Sequence, residues 1–122
     1  MLVKTYGSAV FGVDATTITI ESNHLGGGPS WNVVGLPDAA VREGLFRMES
    51  ALKQIGYHMP RQKYIVNLSP ADLKKEGSAY DVPIALGALA SSGQLDAKRP
   101  LEDYIIMGEL SLDGNLQPIK GA

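Results

Sequence analysis

Cysteine is absent from all 122 residues, which excludes a disulfide framework and a thiolate zinc site. Histidine occurs only twice, as His24 and His58, too few for a ligand cluster that needs three or four donors. No window approaches the run of about 18 apolar residues that a membrane-spanning helix requires. The opening stretch MLVKTYGSAVFGVD has no basic region followed by an apolar run, so no secretory signal is evident. Positive charge is not in excess either. Eleven Lys and Arg stand against 13 Asp and Glu, a formal net charge of −2, and the footprint of a stand-alone nucleic-acid binder is missing. No Gly-x-x-x-x-Gly-Lys-Ser/Thr run and no Gly-x-Ser-x-Gly elbow occurs, so neither a P-loop nor that kind of nucleophile turn lies in these residues. The expectation is one cytoplasmic domain without a metal site.

What is present suits a globular core. Apolar residues make up 44% and charged residues 20% of the chain, an ordinary balance for a single folded domain. Residues 2–13 are expected to form a strand, and ATTITIES at 15–22 alternates cleanly, with Ile18 and Ile20 on the buried side. LGGGPS at 25–30 breaks the chain and is expected to be a hairpin loop or lid. SWNVVGL at 30–36 reads as a third strand. Val41, Leu45, Met48, Leu52 and Ile55 then fall on one helical stripe, opened by Pro37-Asp38 and stopped by Gly56. Arg42, Glu43, Arg47, Glu49 and Lys53 occupy the other face and read as solvated. KYIVNL at 63–68 is a buried strand, and residues 79–92 a helix apolar on nearly all sides. Finally DYIIMGEL and LQPI flank an Asp113-Gly114 turn and read as a hairpin. The order β-β-β-α-β-α-β-β predicts an α/β or α+β domain, a two-layer mixed sheet with two main helices.

The stretch from the end of the fourth strand to the second helix, NLSPADLKKEGSAYD, raises the chemical question. A loop at a helix N-terminus can hold a nucleophile or an anion. Ser69 and Ser78 supply the hydroxyls, but Lys74 and Lys75 are too near in sequence to fold back reliably as bases. Pro83 belongs to the first helical turn, where a missing N–H costs little. Glu76 and Asp81 already suit the positive end of the helix, and Asp81 is expected to act as an internal cap.

Three long motifs, VVGLPDAAVREGLFRMESAL, IVNLSPADLKKEGSAYDVPIALGAL and IIMGELSLDGNLQPIKG, resemble the N-terminal domain of the bacterial magnesium-chelatase-like AAA+ ATPases of the ComM/YifB type. The resemblance covers almost the whole chain. It implies a domain resembling the Lon protease domain, the fold shared with ribosomal protein S-five domain 2, carried ahead of a hexameric ATPase module. By that resemblance residues 1–122 are one Lon-like domain and the ATPase module lies outside this chain.

Laid over KEGSAYD, the Lon-type motif puts its proline position on Ser78 and its nucleophile position on Ala79, which has no hydroxyl. The lysine partner position falls one residue beyond Ala122, with Lys120 short of it. The resemblance therefore implies a non-catalytic accessory domain, with no cofactor of its own, while ATP and Mg belong to the absent module. The implied partners are that module, neighbouring subunits of a hexamer and DNA, in branch migration, recombination and DNA uptake. Arg61, Lys63, Lys74 and Lys75 are the candidate DNA or partner contacts, grouped near one end of the strand-loop-helix unit. The alternative is a residual Lon-like serine peptidase using Ser78 or Ser69. Magnesium insertion into a porphyrin rests on the family name alone.

Overall fold

A computed structural model describes residues 2–11, 14–96 and 100–119. Two long strands, β1 (Leu2–Phe11) and β2 (Asp14–His24), form an antiparallel hairpin, with Tyr6 opposite Thr19 and Thr5 opposite Ile20. β4 (Lys63–Ser69) pairs antiparallel with β2, and β3 (Ser30–Val34) lies parallel to β4 at the far edge. The strand order β1-β2-β4-β3 makes a mixed sheet, as the succession of strands and helices along the chain predicts. The glycine segment at 25–30 is not a hairpin loop, because β4 sits between β2 and β3. It carries the chain across the end of β4, where the Leu25 N–H donates to the Lys63 carbonyl at 2.8 Å.

Period-2 alternation sets the faces. Ile18 and Ile20 of β2, Tyr64, Val66 and Leu68 of β4, and Thr5 of β1 are all fully buried on one side. The opposite side is exposed or half-exposed, and there Asn67 donates to the Glu21 carboxylate at 3.0 Å. Both helices supply the second layer, joining those strands in one apolar cluster. α1 (Ala39–Gln54) starts at Asp38, whose carboxylate accepts from the Val41 N–H at 2.8 Å, and stops before Gly56 at φ +91°. Val41, Leu45, Met48 and Leu52 are buried as the stripe predicts, but Ile55 is exposed because it lies past the last helical residue. Ala51 and Gly44 complete the buried face.

α2 (Asp81–Ser91) lies over β1 and β2, and small residues let it approach closely. A methyl at Gly87 would stand 2.4 Å from the Ser22 hydroxyl. Its apolar sides are covered as expected, with Ile84, Ala85, Ala88 and Leu89 buried.

The C-terminal hairpin is shorter than its sequence suggests. Only Glu109–Leu110 (β5) and Leu116–Gln117 (β6) pair, around a five-residue loop containing Asp113-Gly114. Residues Leu101–Asp103 form a single 3-10 turn, and Ile105 makes one parallel bridge to Tyr6. Residues 106 and 107 stay against β1, and Gly108 then turns to the start of α2, where the Val82 N–H donates to Gly108 O at 3.1 Å and the Gly108 N–H to Ala79 O at 2.7 Å.

Candidate functional site

The loop after β4 is fastened from several sides. Asp38, besides capping α1, accepts from the Gly77 N–H at 3.1 Å. The Lys75 N–H donates to Leu36 O, and the Asp38 N–H to Lys75 O, each at 3.0 Å. The Lys75 side chain is fully buried, and its ammonium donates to Gly35 O at 2.7 Å, Leu68 O at 3.0 Å and Pro70 O. Burial pushes its pKa below the ordinary lysine value, while the Asp72 carboxylate pulls the other way. Gly35, at φ +100°, is required here, since a Cβ would stand 2.0 Å from the Leu68 carbonyl oxygen.

Lys75 is therefore withdrawn from the candidate contacts. A side chain that satisfies three internal carbonyls presents no charge to a phosphate or a partner protein. The remaining three do not form one patch either. Arg61 and Lys63 lie at the start of β4, and Lys74 lies beyond its end. Six residue steps along a strand separate those ends by about 20 Å. Lys74 is 65% exposed and sits 3.7 Å from Glu76.

At the helix start, Asp81 is not a cap. It is the first helical residue, and its carboxylate is buried against Arg47 of α1. Arg47 Nε reaches Asp81 Oδ2 at 2.8 Å and Nη2 reaches Oδ1 at 2.9 Å, a two-pronged ion pair. The Leu110 N–H of β5 donates to the same carboxylate at 3.1 Å. Arg47 thus departs from the solvated face expected of the helix charges, and the neighbouring carboxylate raises its pKa. Gly44 is what lets α1 and α2 close on this pair, because a Cβ there would stand 2.4 Å from Asp81 Oδ1.

The backbone donors of the first turn are also engaged. The Asp81 N–H donates to Ser78 O at 3.2 Å, Val82 donates to Gly108, and Pro83 has no N–H. An anion at this terminus would meet few free donors, so the anion-cradle reading loses its physical basis. The Ser78 hydroxyl donates to the Glu109 carboxylate, and Ser69 Oγ accepts from Asn67 at 3.3 Å. Neither bond involves a lysine amine. Ala79 borders a cavity of about 360 Å³ shared with Ser78, Glu109 and Ile119, and a second of about 180 Å³ shared with Ser8, Tyr80 and Met107. Lys120, the residue nearest the Lon lysine position, lies outside the described residues. No group of three or more His, Asp or Glu among the described residues is placed to hold a metal ion.

A third cavity, of about 580 Å³, opens beside Trp31 of β3. Trp31, Phe46, Tyr57 and Met59 line it, with Lys53 and Arg61 among the charged groups. The Trp31 indole N–H donates to Pro60 O at 2.8 Å, which fixes the ring. Phe46 is 73% exposed. In the sequence the cavity's one trace is Phe46, an aromatic residue standing off the apolar stripe of α1, where the helix has no internal use for it.

Comparison with known proteins agrees with the motif reading. The family model described as subunit ChlI of Mg-chelatase matches residues 20–122, and the chain belongs to that magnesium-chelatase-like family, of the ComM/YifB type. The uncharacterized protein YifB of Escherichia coli strain K12 is 46% identical over 114 residues, 93% of this chain and 22% of that protein. Competence protein ComM of Haemophilus influenzae is 42% identical over 120 residues, 98% of this chain and 23% of that protein. An uncharacterized protein of Mycobacterium tuberculosis strain H37Rv is 38% identical over 120 residues, 98% of this chain and 24% of that protein. The chain spans less than a quarter of the length of these relatives. No helix among the described residues is long and apolar enough to cross a membrane.

Proposed function

We propose that this chain is a non-catalytic contact domain of a larger, ring-forming AAA+ ATPase that remodels DNA in the cytoplasm. Its work is to hold neighbouring parts of that assembly, while ATP and Mg are bound by a module outside these residues. The Lon-like ancestry implied by the motifs accounts for the loop at 76–81, whose nucleophile position carries Ala79. The name of the Haemophilus relative, competence protein ComM, supports a setting in competence, and DNA uptake and recombination are what the motif resemblance implies for it.

The observation that carries the contact role is the contrast between loop and surface. The polar groups of the loop are turned inward, Ser78 to Glu109, Asp81 to Arg47 and Lys75 to three carbonyls. Outside, Phe46, Ile55, Leu112 and Leu116 stand more than half exposed around α1 and the hairpin. The Ser50 hydroxyl of α1 donates to Leu112 O at 2.9 Å, so the hairpin loop lies against the helix, and adjoining exposed apolar groups mark surfaces that other protein covers. With Lys75 buried and the other cations divided between the two ends of β4, DNA contact through these lysines has less support.

The test pairs two measurements. Anisotropy of labelled single-stranded and forked DNA, titrated with this chain at low and moderate salt, is expected to show no salt-sensitive binding tighter than about 10 μM. Removing residues 1–122 from the longer protein is expected to loosen its ring in sedimentation velocity. Salt-sensitive DNA binding that disappears on Arg61→Ala with Lys63→Ala would move the function to DNA contact. An intact ring without the domain would overturn the assembly role.

A further inference from the structure

The two edges of the sheet are treated differently. Along β1 the segment 105–107 covers the edge, with the Ile106 N–H on Tyr6 O at 2.7 Å and the Ser8 N–H on Met107 Sδ at 3.3 Å. Along β3 no described residue pairs with the outer side, since β3 ends the strand order. Its sequence Ser-Trp-Asn-Val-Val contains no charge and no proline. Exposed edges are usually blunted by lysine, proline or a covering loop, because an open edge templates further strand pairing.

We infer that β3 is a two-fold self-association edge, pairing antiparallel with β3 of a second copy of this chain. The strand is self-complementary about Asn32. With the two-fold axis there, Asn32 stands opposite Asn32, Trp31 opposite Val33 and Ser30 opposite Val34. Trp31 and Val33 point to the inner face and are only half-buried within one copy. Facing each other across the axis, they become an aromatic to β-branched cross-strand pair, a favourable combination on a sheet face. On the outer face Ser30 and Asn32 already hydrogen-bond at 3.0 Å, and two amides meet there instead of two charges.

Trp31 of this strand also lines the 580 Å³ cleft, with Phe46 and Tyr57. An uncharged strand suits a second copy of itself better than it suits a polyanion. Such a two-fold contact uses one patch twice, unlike the head-to-tail contacts that close a ring. Its failure therefore leaves the proposed ring contact untouched, and the ring's failure leaves this edge untouched.

The test is sedimentation velocity of this chain over a wide concentration range. The weight-average mass is expected to climb from 13.0 kDa toward twice that value. Asn32→Lys and Asn32→Asp change an exposed side chain, so each variant is expected to fold, as circular dichroism will show. Each brings two like charges together across the axis and is expected to weaken self-association at least about tenfold. An equimolar mixture of the two variants is expected to recover a mixed dimer. A wild-type chain that stays monomeric overturns the proposal, as do single variants that associate like the wild type. A mixture that stays monomeric overturns it as well.

Discussion

Arg47 on α1 and Asp81 at the first position of α2 form a two-pronged ion pair, with both contacts under 3 Å and the carboxylate side chain only 2% exposed. The pair joins three elements, because Asp81 also receives the Leu110 N–H of the C-terminal hairpin. Removing one partner of a buried pair strands the other charge, which costs more than the pair itself contributes. The Arg47 side chain is 22% exposed, so water softens the loss. Arg47→Ala is expected to lower stability by about 2–4 kcal/mol in urea unfolding. Arg47→Ala with Asp81→Ala together should cost less than the sum of the two single changes, since neither leaves an orphan charge. Additive costs would mean that the two groups are not coupled.

Gly44 gives a prediction whose sign runs against propensity. Replacing a glycine inside a helix by alanine ordinarily stabilises by about 0.5–1 kcal/mol. Here the added methyl would lie 2.4 Å from Asp81 Oδ1 and 3.3 Å from Arg47 Nη2. Gly44→Ala is expected to destabilise by about 1–3 kcal/mol, as overpacking does. A gain in the urea midpoint would show that the helices can separate without penalty.

The same pair shows what the linear sequence carried and what it hid. The stripe Val41, Leu45, Met48, Leu52 follows from spacing alone, because burial of a helix face is a local periodic property. The pairing of Arg47 with a carboxylate 34 residues away is not local, so Arg47 looked like any solvated helix charge. Lys75 follows Lys74 with no pattern to tell them apart, yet one is buried and the other is 65% exposed. DYIIMGEL reads as a strand from its Tyr and Ile residues. Its N–H and C=O groups at Gly108 instead serve the first turn of α2, a demand that only the folded chain reveals. The strand order could not be read from the alternation either, since period 2 gives the faces of a strand and not its neighbour.

Lys75 and Lys74 offer a paired test of that difference. Lys75→Met keeps the length of the side chain and removes the donor, leaving the carbonyls of Gly35, Leu68 and Pro70 without it. The expected loss is about 2–4 kcal/mol, the scale of buried acceptors deprived of a charged donor. Lys74→Met at the exposed neighbour should stay within about 0.5 kcal/mol of wild type. Equal effects would place the Lys75 ammonium in solvent.

The buried phenols set the alkaline limit of stability. Tyr64 is fully buried, with its hydroxyl 3.4 Å from Ile84 O, and burial pushes its pKa above the ordinary 10.0. Tyr80 is raised too, first by burial and then by the Asp38 charge. Above pH 10 the unfolded chain has lost phenolic protons that the folded chain keeps. The folded state then binds more protons, so stability falls as pH rises. Lys75 acts with the opposite sign. Its folded pKa lies below the ordinary 10.5, so between those two values the unfolded chain binds the extra proton and stability rises with pH. The urea midpoint of the wild type, followed from about pH 8 to pH 11.5, is expected to fall at the alkaline end, where the phenols dominate. Tyr64→Phe gives up a long, weak hydrogen bond worth about 0.5–1 kcal/mol near neutrality and should flatten the alkaline fall. A fall as steep in Tyr64→Phe as in the wild type would assign the alkaline transition to other groups.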